Sequence, residues 1–263
     1  MPQRSVNGTT LNFEERGTGI PLVLLHGFPL DSRIWREQIA ALSDQFRVIA
    51  PDLRGFGQSR SADAFSMESL ADDVHALLAD LGALPCVLGG LSMGGYVALA
   101  YAKKYPTDLL GLALIDTKAE GDTAEGKAGR EKMIELVRAQ GTKAVADQMM
   151  PKMLAPDADK TRPQVKRALD PIMNAQTPLT IEHALTAMRD RPDFVEHLPS
   201  IATPTLVIVG EHDAITPPTG AEKMSKAITK STYVVIRGAG HMSPMEQPQQ
   251  VTDALRRFAA NSA

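Results

Sequence analysis

Short apolar runs alternate with stretches of helical spacing along most of this chain, and that alternation limits the fold more than any other feature. The runs PLVLLHG (21–27), RVIAPDL (47–53), CVLGGLS (86–92) and LLGLALIDT (109–117) are short enough for strands and apolar enough to be buried on both faces. Between them, DSRIWREQIAALSD, SMESLADDVHALLADLG and GGYVALAYAKKYP carry apolar residues at helical spacing. In the second of these, Ser66 reads as an N-cap, Glu68 places negative charge in the first turn, and Gly82 reads as the stop. Strands alternating with helices predict an α/β fold, a doubly wound parallel sheet covered on both faces. Asn7-Gly8 predicts a hairpin and a small antiparallel entry to that sheet.

From residue 118 to 199 the strand signal disappears. The segment is helical by composition, is interrupted by prolines at 151, 156, 163, 171, 178, 192 and 199, and holds Met133, Met149, Met150, Met153, Met173 and Met188. PTLVIVGEHD (204–213), TPPTGAEKMSKAIT, STYVVIRGAGH (231–241) and PQQVTDALRRFAAN then resume the strand and helix rhythm. Residues 1–117 and 200–263 therefore read as one core, and 118–199 as an inserted helical cap. With 263 residues and 43% apolar composition, such a core can be buried by one chain.

Composition narrows the partners. A net charge of −3 offers no footprint for a polyanion, so nucleic acid is not an expected partner. The N-terminal stretch lacks an apolar signal core and the longest apolar runs are too short to cross a bilayer, so a cytoplasmic protein without a membrane partner is expected. Cys86 is the only cysteine, which rules out an internal disulfide or a thiolate metal cluster and leaves a core residue.

Gly90-Leu91-Ser92-Met93-Gly94 closes one apolar run and opens a helical one, matching G-x-S-x-G. A sharp turn there lifts the Ser92 hydroxyl clear of the sheet, and a helix N-terminus beside it favours developing negative charge. A helix-capping serine in a glycine-rich turn is the competing reading of the pentapeptide.

A serine hydroxyl needs a base held by a third group. His241 follows an apolar strand in VVIRGAGHMSP, where glycines make a loop at the strand end. His75 lies on a helix pattern, His183 and His197 lie in the cap, and His26 precedes a turn stiffened by Pro29. His212 is the rival base, but its neighbour Asp213 better supplies the acid in the order Ser, Asp, His. Asp116, at another strand end, is the alternative acid. For the oxyanion, the Met93 amide follows the nucleophile, and the turn after LLHGFP supplies a second donor. Pro29 has no N–H, which leaves the Phe28 amide.

LLHGFP, DLRGFGQS, GLSMGG, VIVGEHD and GAGH, in this order, resemble the alpha/beta-hydrolase family across nearly the whole chain outside the cap. The resemblance implies a mostly parallel eight-stranded sheet, a catalytic triad of Ser92, Asp213 and His241, and Phe28 and Met93 as oxyanion donors. It places Asp52 and Arg54 in a structural loop. GLSMGG, PTLVIVGEHDAITPP and GAGHMSPMEQP are most similar to 3-oxoadipate enol-lactonases and small carboxylesterases, and LLHGFPLD with GFGQS also resembles cofactor-free haloperoxidases and perhydrolases. Haloalkane dehalogenases and epoxide hydrolases share the His-Gly-x-Pro element but need an aspartate where Ser92 stands. Serine suits acyl transfer instead.

A serine carboxylesterase with no metal or organic cofactor is the expected function. The alternatives are a lactonase, a perhydrolase or haloperoxidase, and a non-catalytic ligand receptor on the same scaffold. Residues 118–199 hold thirteen Lys or Arg and thirteen Asp or Glu, so composition provides no positive funnel. Small neutral esters are expected ahead of a carboxylate-bearing lactone, unless a cap arginine such as Arg130, Arg138 or Arg189 binds the carboxylate. The six methionines read either as an adaptable apolar lining or as helix packing.

Overall fold

The apolar runs become the inner strands of one eight-stranded sheet. In a computed structural model that describes residues 1–262, the strands are β1 (Gln3–Val6), β2 (Thr9–Arg16), β3 (Ile20–Leu25), β4 (Phe46–Pro51), β5 (Cys86–Leu91), β6 (Leu109–Ile115), β7 (Thr205–Gly210) and β8 (Ser231–Ile236). Their order is β1-β2-β4-β3-β5-β6-β7-β8. The pairs β1–β2 and β2–β4 are antiparallel and all later neighbours are parallel. The expected hairpin joins β1 to β2, with Asn7 at φ 46° and Gly8 at φ 76°. Each inner run loses its polar tail: Asp52, Asp116, Asp213 and His241 all leave the sheet for loops.

Side chains alternate between two cores because a strand repeats every two residues. Val23 and Leu25 of β3, Leu112 and Leu114 of β6, and Val207 and Val209 of β7 enter one core; Leu22 and Leu24, Ala113 and Ile115, and Leu206 and Ile208 enter the other. Each buried Leu or Val adds about 2 kcal/mol of transfer free energy. A one-residue slip would exchange the two faces, so the register is tightly specified. Cys86 lies in the first core, and burial pushes its thiol pKa up to about 12, consistent with a packing residue.

The helices are α1 (Arg36–Leu42), α2 (Met67–Asp80), α3 (Met93–Lys104), α4 (Ala124–Met153), α5 (Ala158–Thr161), α6 (Pro163–Met173), α7 (Pro178–Asp190), α8 (Pro218–Ala227), α9 (Ser243–Glu246) and α10 (Pro248–Asn261). Helices α2, α3 and α8 pack into the first core, and α1 and α10 into the second. The start of α2 follows the sequence reading: Ser66 Oγ accepts from the Ser69 amide, Ser69 Oγ returns the bond to the Ser66 amide, and Gly82 follows the helix at φ 57°.

The segment between β6 and β7 is helical, as expected, but its breaks differ from the proline pattern. Pro151 and Pro171 lie inside the last turns of α4 and α6, where each removes one terminal hydrogen bond instead of splitting the helix. The kink in α4 falls at Gly141, whose φ of 78° and ψ of −178° favour a residue without Cβ. Buried polar contacts fasten this segment to the core. Gln176 donates to Asp31 Oδ2 at 3.1 Å and accepts from the Gly57 amide at 3.0 Å, and Thr180 Oγ1 donates to the Gly55 carbonyl at 2.9 Å.

Asp52 and Arg54 hold the loop after β4. Asp52 accepts the Ser32 and Gln58 amides at 2.9 and 2.8 Å, and Arg54 donates to both oxygens of Asp73 on α2, each at 2.7 Å. The Asp73 side chain is only 2% exposed. Arg54→Ala leaves that carboxylate with Asn7 as its remaining side-chain partner, and a loss of about 3 kcal/mol in urea unfolding is expected. An alanine variant as stable as the parent would remove Arg54 from this role.

Candidate active site

Ser92 is the single residue between β5 and α3, at φ 52° and ψ −112°. A non-glycine residue there carries strain of about 1–3 kcal/mol, so its surroundings must hold it. The Ser92 amide donates to the Ile115 carbonyl at 2.9 Å, and the Ser92 carbonyl accepts from Thr117 Oγ1 at 2.7 Å and from the Gly95 amide at 2.9 Å. The close approach also explains Gly94, where a Cβ would lie 2.6 Å from the Leu25 carbonyl oxygen and 2.7 Å from that of His26.

The backbone amides of Met93, the first residue of α3, and of Phe28 flank this turn, and neither has a protein acceptor among the described residues. The Phe28 strand-end loop runs against the serine, since a Cβ on Gly27 would sit 3.1 Å from Ser92 Cβ. His26 braces that loop. Its Nδ1 donates to the Gly27 carbonyl at 2.9 Å and its Nε2 accepts the Leu53 amide at 3.0 Å, which fixes a neutral tautomer. Burial lowers its pKa accordingly, against the raising effects of its Gly27 bond and nearby carboxylates.

His241 and Asp213 meet after β8 and β7. His241 Nδ1 donates to Asp213 Oδ2 at 2.8 Å, and both side chains are buried. Because a carboxylate only accepts, the bond puts the proton on Nδ1 and leaves the Nε2 lone pair free. Asp213 is also a turn cap. Its Oδ1 accepts the Ile215 and Thr216 amides at 2.8 and 2.9 Å, while Thr216 Oγ1 donates to Oδ2 at 2.6 Å. One carboxylate thus both caps the turn and faces His241. Burial acts to raise its pKa, but His241 and the Thr216 bonds outweigh it and hold the carboxyl below the usual range. Burial likewise acts to lower the His241 pKa, and the facing Asp213 overcomes it to give a net upward shift.

The Ser92 hydroxyl makes no hydrogen bond of its own among the described residues. The structure thus pairs His241 with Asp213 and sets Ser92 at the same C-terminal edge of the sheet without a bond to either. Contacts of a nucleophile often tighten only with substrate present.

Asp116, the alternative acid, faces elsewhere. At φ 45°, its Oδ1 accepts the Gly210 amide at 2.7 Å and its Oδ2 accepts the Ser243 hydroxyl. Burial and the neighbouring charge of Asp213 push its pKa up to about 8. His212, the rival base, is 47% exposed beside Glu211. His75 bonds Asp108, His183 packs edge-on to Phe65, and His197 lies against Lys103. Thr216, Thr117 and Ser243 were not picked out from the sequence. The only signal for Thr216 was its place three residues after Asp213, the spacing of a side-chain cap.

Arg130, Arg138 and Arg189 are already paired: Arg130 with Asp122 at 3.0 Å, Arg138 with Glu182, and Arg189 with Glu131 and Asp190. Of the six methionines, Met150, Met153, Met173 and Met188 are buried in the cores, which is helix packing.

No helix among the described residues is long and apolar enough to cross a membrane. Among solved structures, a thermophilic esterase from Thermogutta terrifontis, solved with malate bound, is 43% identical over 99% of this chain and 97% of its own, with a TM-score of 0.94. The enol-lactonase from Burkholderia xenovorans LB400 is 28% identical over 98% of this chain and 100% of its own, with a TM-score of 0.91. The AB hydrolase superfamily protein YisY of Bacillus subtilis (strain 168) is 31% identical over 95% of both chains. The alpha/beta hydrolase fold model matches residues 20–248, and with the parallel sheet and the loops at its edge this makes the chain a member of the alpha/beta hydrolase family.

Proposed function

We propose that this protein is a serine hydrolase of small neutral carboxylic esters that works through an acyl-enzyme, with Ser92, His241 and Asp213 as its triad. The observation that carries this reading is the 2.8 Å bond from His241 Nδ1 to Asp213, which leaves Nε2 as a base at the sheet edge where Ser92 is held under strain. Residues 118–199 act as a cap over that edge.

In the first step His241 Nε2 takes the Ser92 proton as the hydroxyl oxygen attacks the ester carbonyl carbon. The unpaired Phe28 and Met93 amides hold the oxyanion. Asp213 stabilises the imidazolium, and the Ile215 and Thr216 amides keep that carboxylate ionised. His241 then protonates the leaving alcohol, and in the second half it draws a proton from water, whose oxygen attacks the acyl carbon and frees the acid. A lactone is an internal ester, so the same steps would open one. The paired state of Arg130, Arg138 and Arg189 supports the preference for neutral substrates, since binding a substrate carboxylate would mean displacing a protein one.

Ser92→Ala is expected to fold normally and to lose hydrolysis of an activated ester, with kcat falling by on the order of 10⁶ by analogy with serine proteases. A fluorophosphonate probe should label the parent alone, and labelling of the alanine variant would remove Ser92 from its role.

The base must be neutral to accept a proton, so kcat/KM should rise with pH to a plateau. The midpoint should lie above about 6.5, the ordinary histidine value, because the Asp213 charge raises the pKa of His241. Asp213→Asn removes the largest of the charges that raise it, against the weaker effects of Asp116 and Glu246, which should move the limb to lower pH. The same change should cut kcat by up to about 10⁴ by favouring the wrong tautomer, whereas Asp116→Asn should matter far less. The reverse ranking of the two variants would make Asp116 the acid.

For substrate choice, kcat/KM is compared between short neutral esters and an enol-lactone bearing a free carboxylate, at low and high salt. A large preference for the anionic lactone that weakens with salt, and is lost on replacing a cap arginine, would overturn the neutral-ester assignment.

A further inference from the structure

Asp213 fixes how the His241 ring is turned, but a side-chain bond does not fix where the backbone hangs that ring. Glu246 lies five residues further on, at the end of α9, with its side chain fully buried. Its Oε1 accepts the Gly240 amide at 2.8 Å and its Oε2 accepts the Ala155 amide at 2.9 Å. Gly240 immediately precedes His241; Ala155 follows the end of α4 in the segment between β6 and β7. On the other side of the histidine, the Met242 amide donates to the Met153 carbonyl at 3.0 Å. Both neighbours of His241 are therefore bonded to residues 153–155, one directly and one through a single carboxylate.

The chemistry of this clasp is specific. Both partners are N–H donors, so both oxygens of Glu246 accept, an arrangement that suits the ionised carboxylate. Burial acts to raise its pKa; the two amides and Arg162, whose Nη2 lies 3.9 Å from Oε2, act to lower it without reversing the shift. The two backbones touch directly beside it, since a Cβ on Gly240 would lie 2.5 Å from both Ala155 N and Leu154 C. A side chain at 240 would force the segments apart.

We infer that Glu246 is a positioning residue that ties the backbone of His241 to residues 153–155, so that the catalytic base and this corner of the cap keep one placement. This rests on the reading of His241 as the base. A displacement of about 1 Å at a reacting group can cost on the order of 100-fold in rate. Glu246→Gln preserves shape but sets an NH₂ group against one of the two amides. It is expected to lower kcat by about 10- to 100-fold, to leave KM nearly unchanged, and to slow fluorophosphonate labelling of Ser92 in parallel. Gly240→Ala, which presses the segments apart while leaving Glu246 in place, should reproduce the effect.

Hydrogen exchange reads the coupling without turnover: the amides of Gly240 and Met242 and that of Ala155 should lose protection together in Glu246→Gln. Loss of protection with parental kcat and labelling rate would make the clasp purely structural and overturn the positioning role. Loss of protection in one segment alone would overturn the coupling. If Glu246→Gln does not fold, Gly240→Ala decides the matter on the same readouts. A parent protein that neither hydrolyses esters nor labels at Ser92 would overturn the proposed function, while the exchange result would still judge the coupling.

Discussion

Parallel pairing from β4 through β8 obliges those strands to deliver their following loops to one edge of the sheet. Everything chemical in this protein depends on that constraint. Ser92 leaves β5, Asp116 leaves β6, Asp213 follows β7 and His241 follows β8, so groups far apart in sequence meet because the strands beneath them are neighbours. An open α/β sheet gathers its polar groups outside the carboxyl ends of its strands for this reason.

The end of β6 acts as a common reference for the loops around it. Thr117 bonds the carbonyl of Ser92, while Asp116 bonds the amide of Gly210, three residues before Asp213, and the hydroxyl of Ser243, two residues after His241. One dipeptide therefore touches all three loops of the proposed triad. Burial and the nearby charge of Asp213 push the Asp116 pKa up to about 8. Asp213 stays ionised in the same edge because two amides, a hydroxyl and the imidazole all donate to it. The pKa values of two buried carboxylates near His241 are thus shifted in opposite directions, and the difference lies in the number of donors each receives.

Polar contacts also explain how a helical segment broken by Gly141 stays in register with the core. Gln176 and Thr180 bond the loop after β4 on one side, and residues 153–155 bond the His241 loop on the other. Each such bond is worth about 1 kcal/mol net, but a buried partner left unmatched costs more. These contacts therefore specify one seating of the segment more than they stabilise it.

The sequence by itself determined the strand runs, the hairpin at Asn7-Gly8, the cap of α2 at Ser66, and the placing of Ser92, Asp213 and His241 where strands end. All of these follow from local rules: apolar periodicity, positive-φ residues in turns, and polar residues at strand ends. Tertiary structure alone decided that α4 kinks at Gly141 and not at Pro151, that Arg130, Arg138 and Arg189 are spent on nearby carboxylates, and that Asp116 serves the loops. It alone brought Glu246 to Ala155, 91 residues away in the chain. The physical reason is that periodicity reports which face of an element is buried, whereas the partner of a buried charge or amide is set by which loops meet, and no local pattern of residues records that meeting.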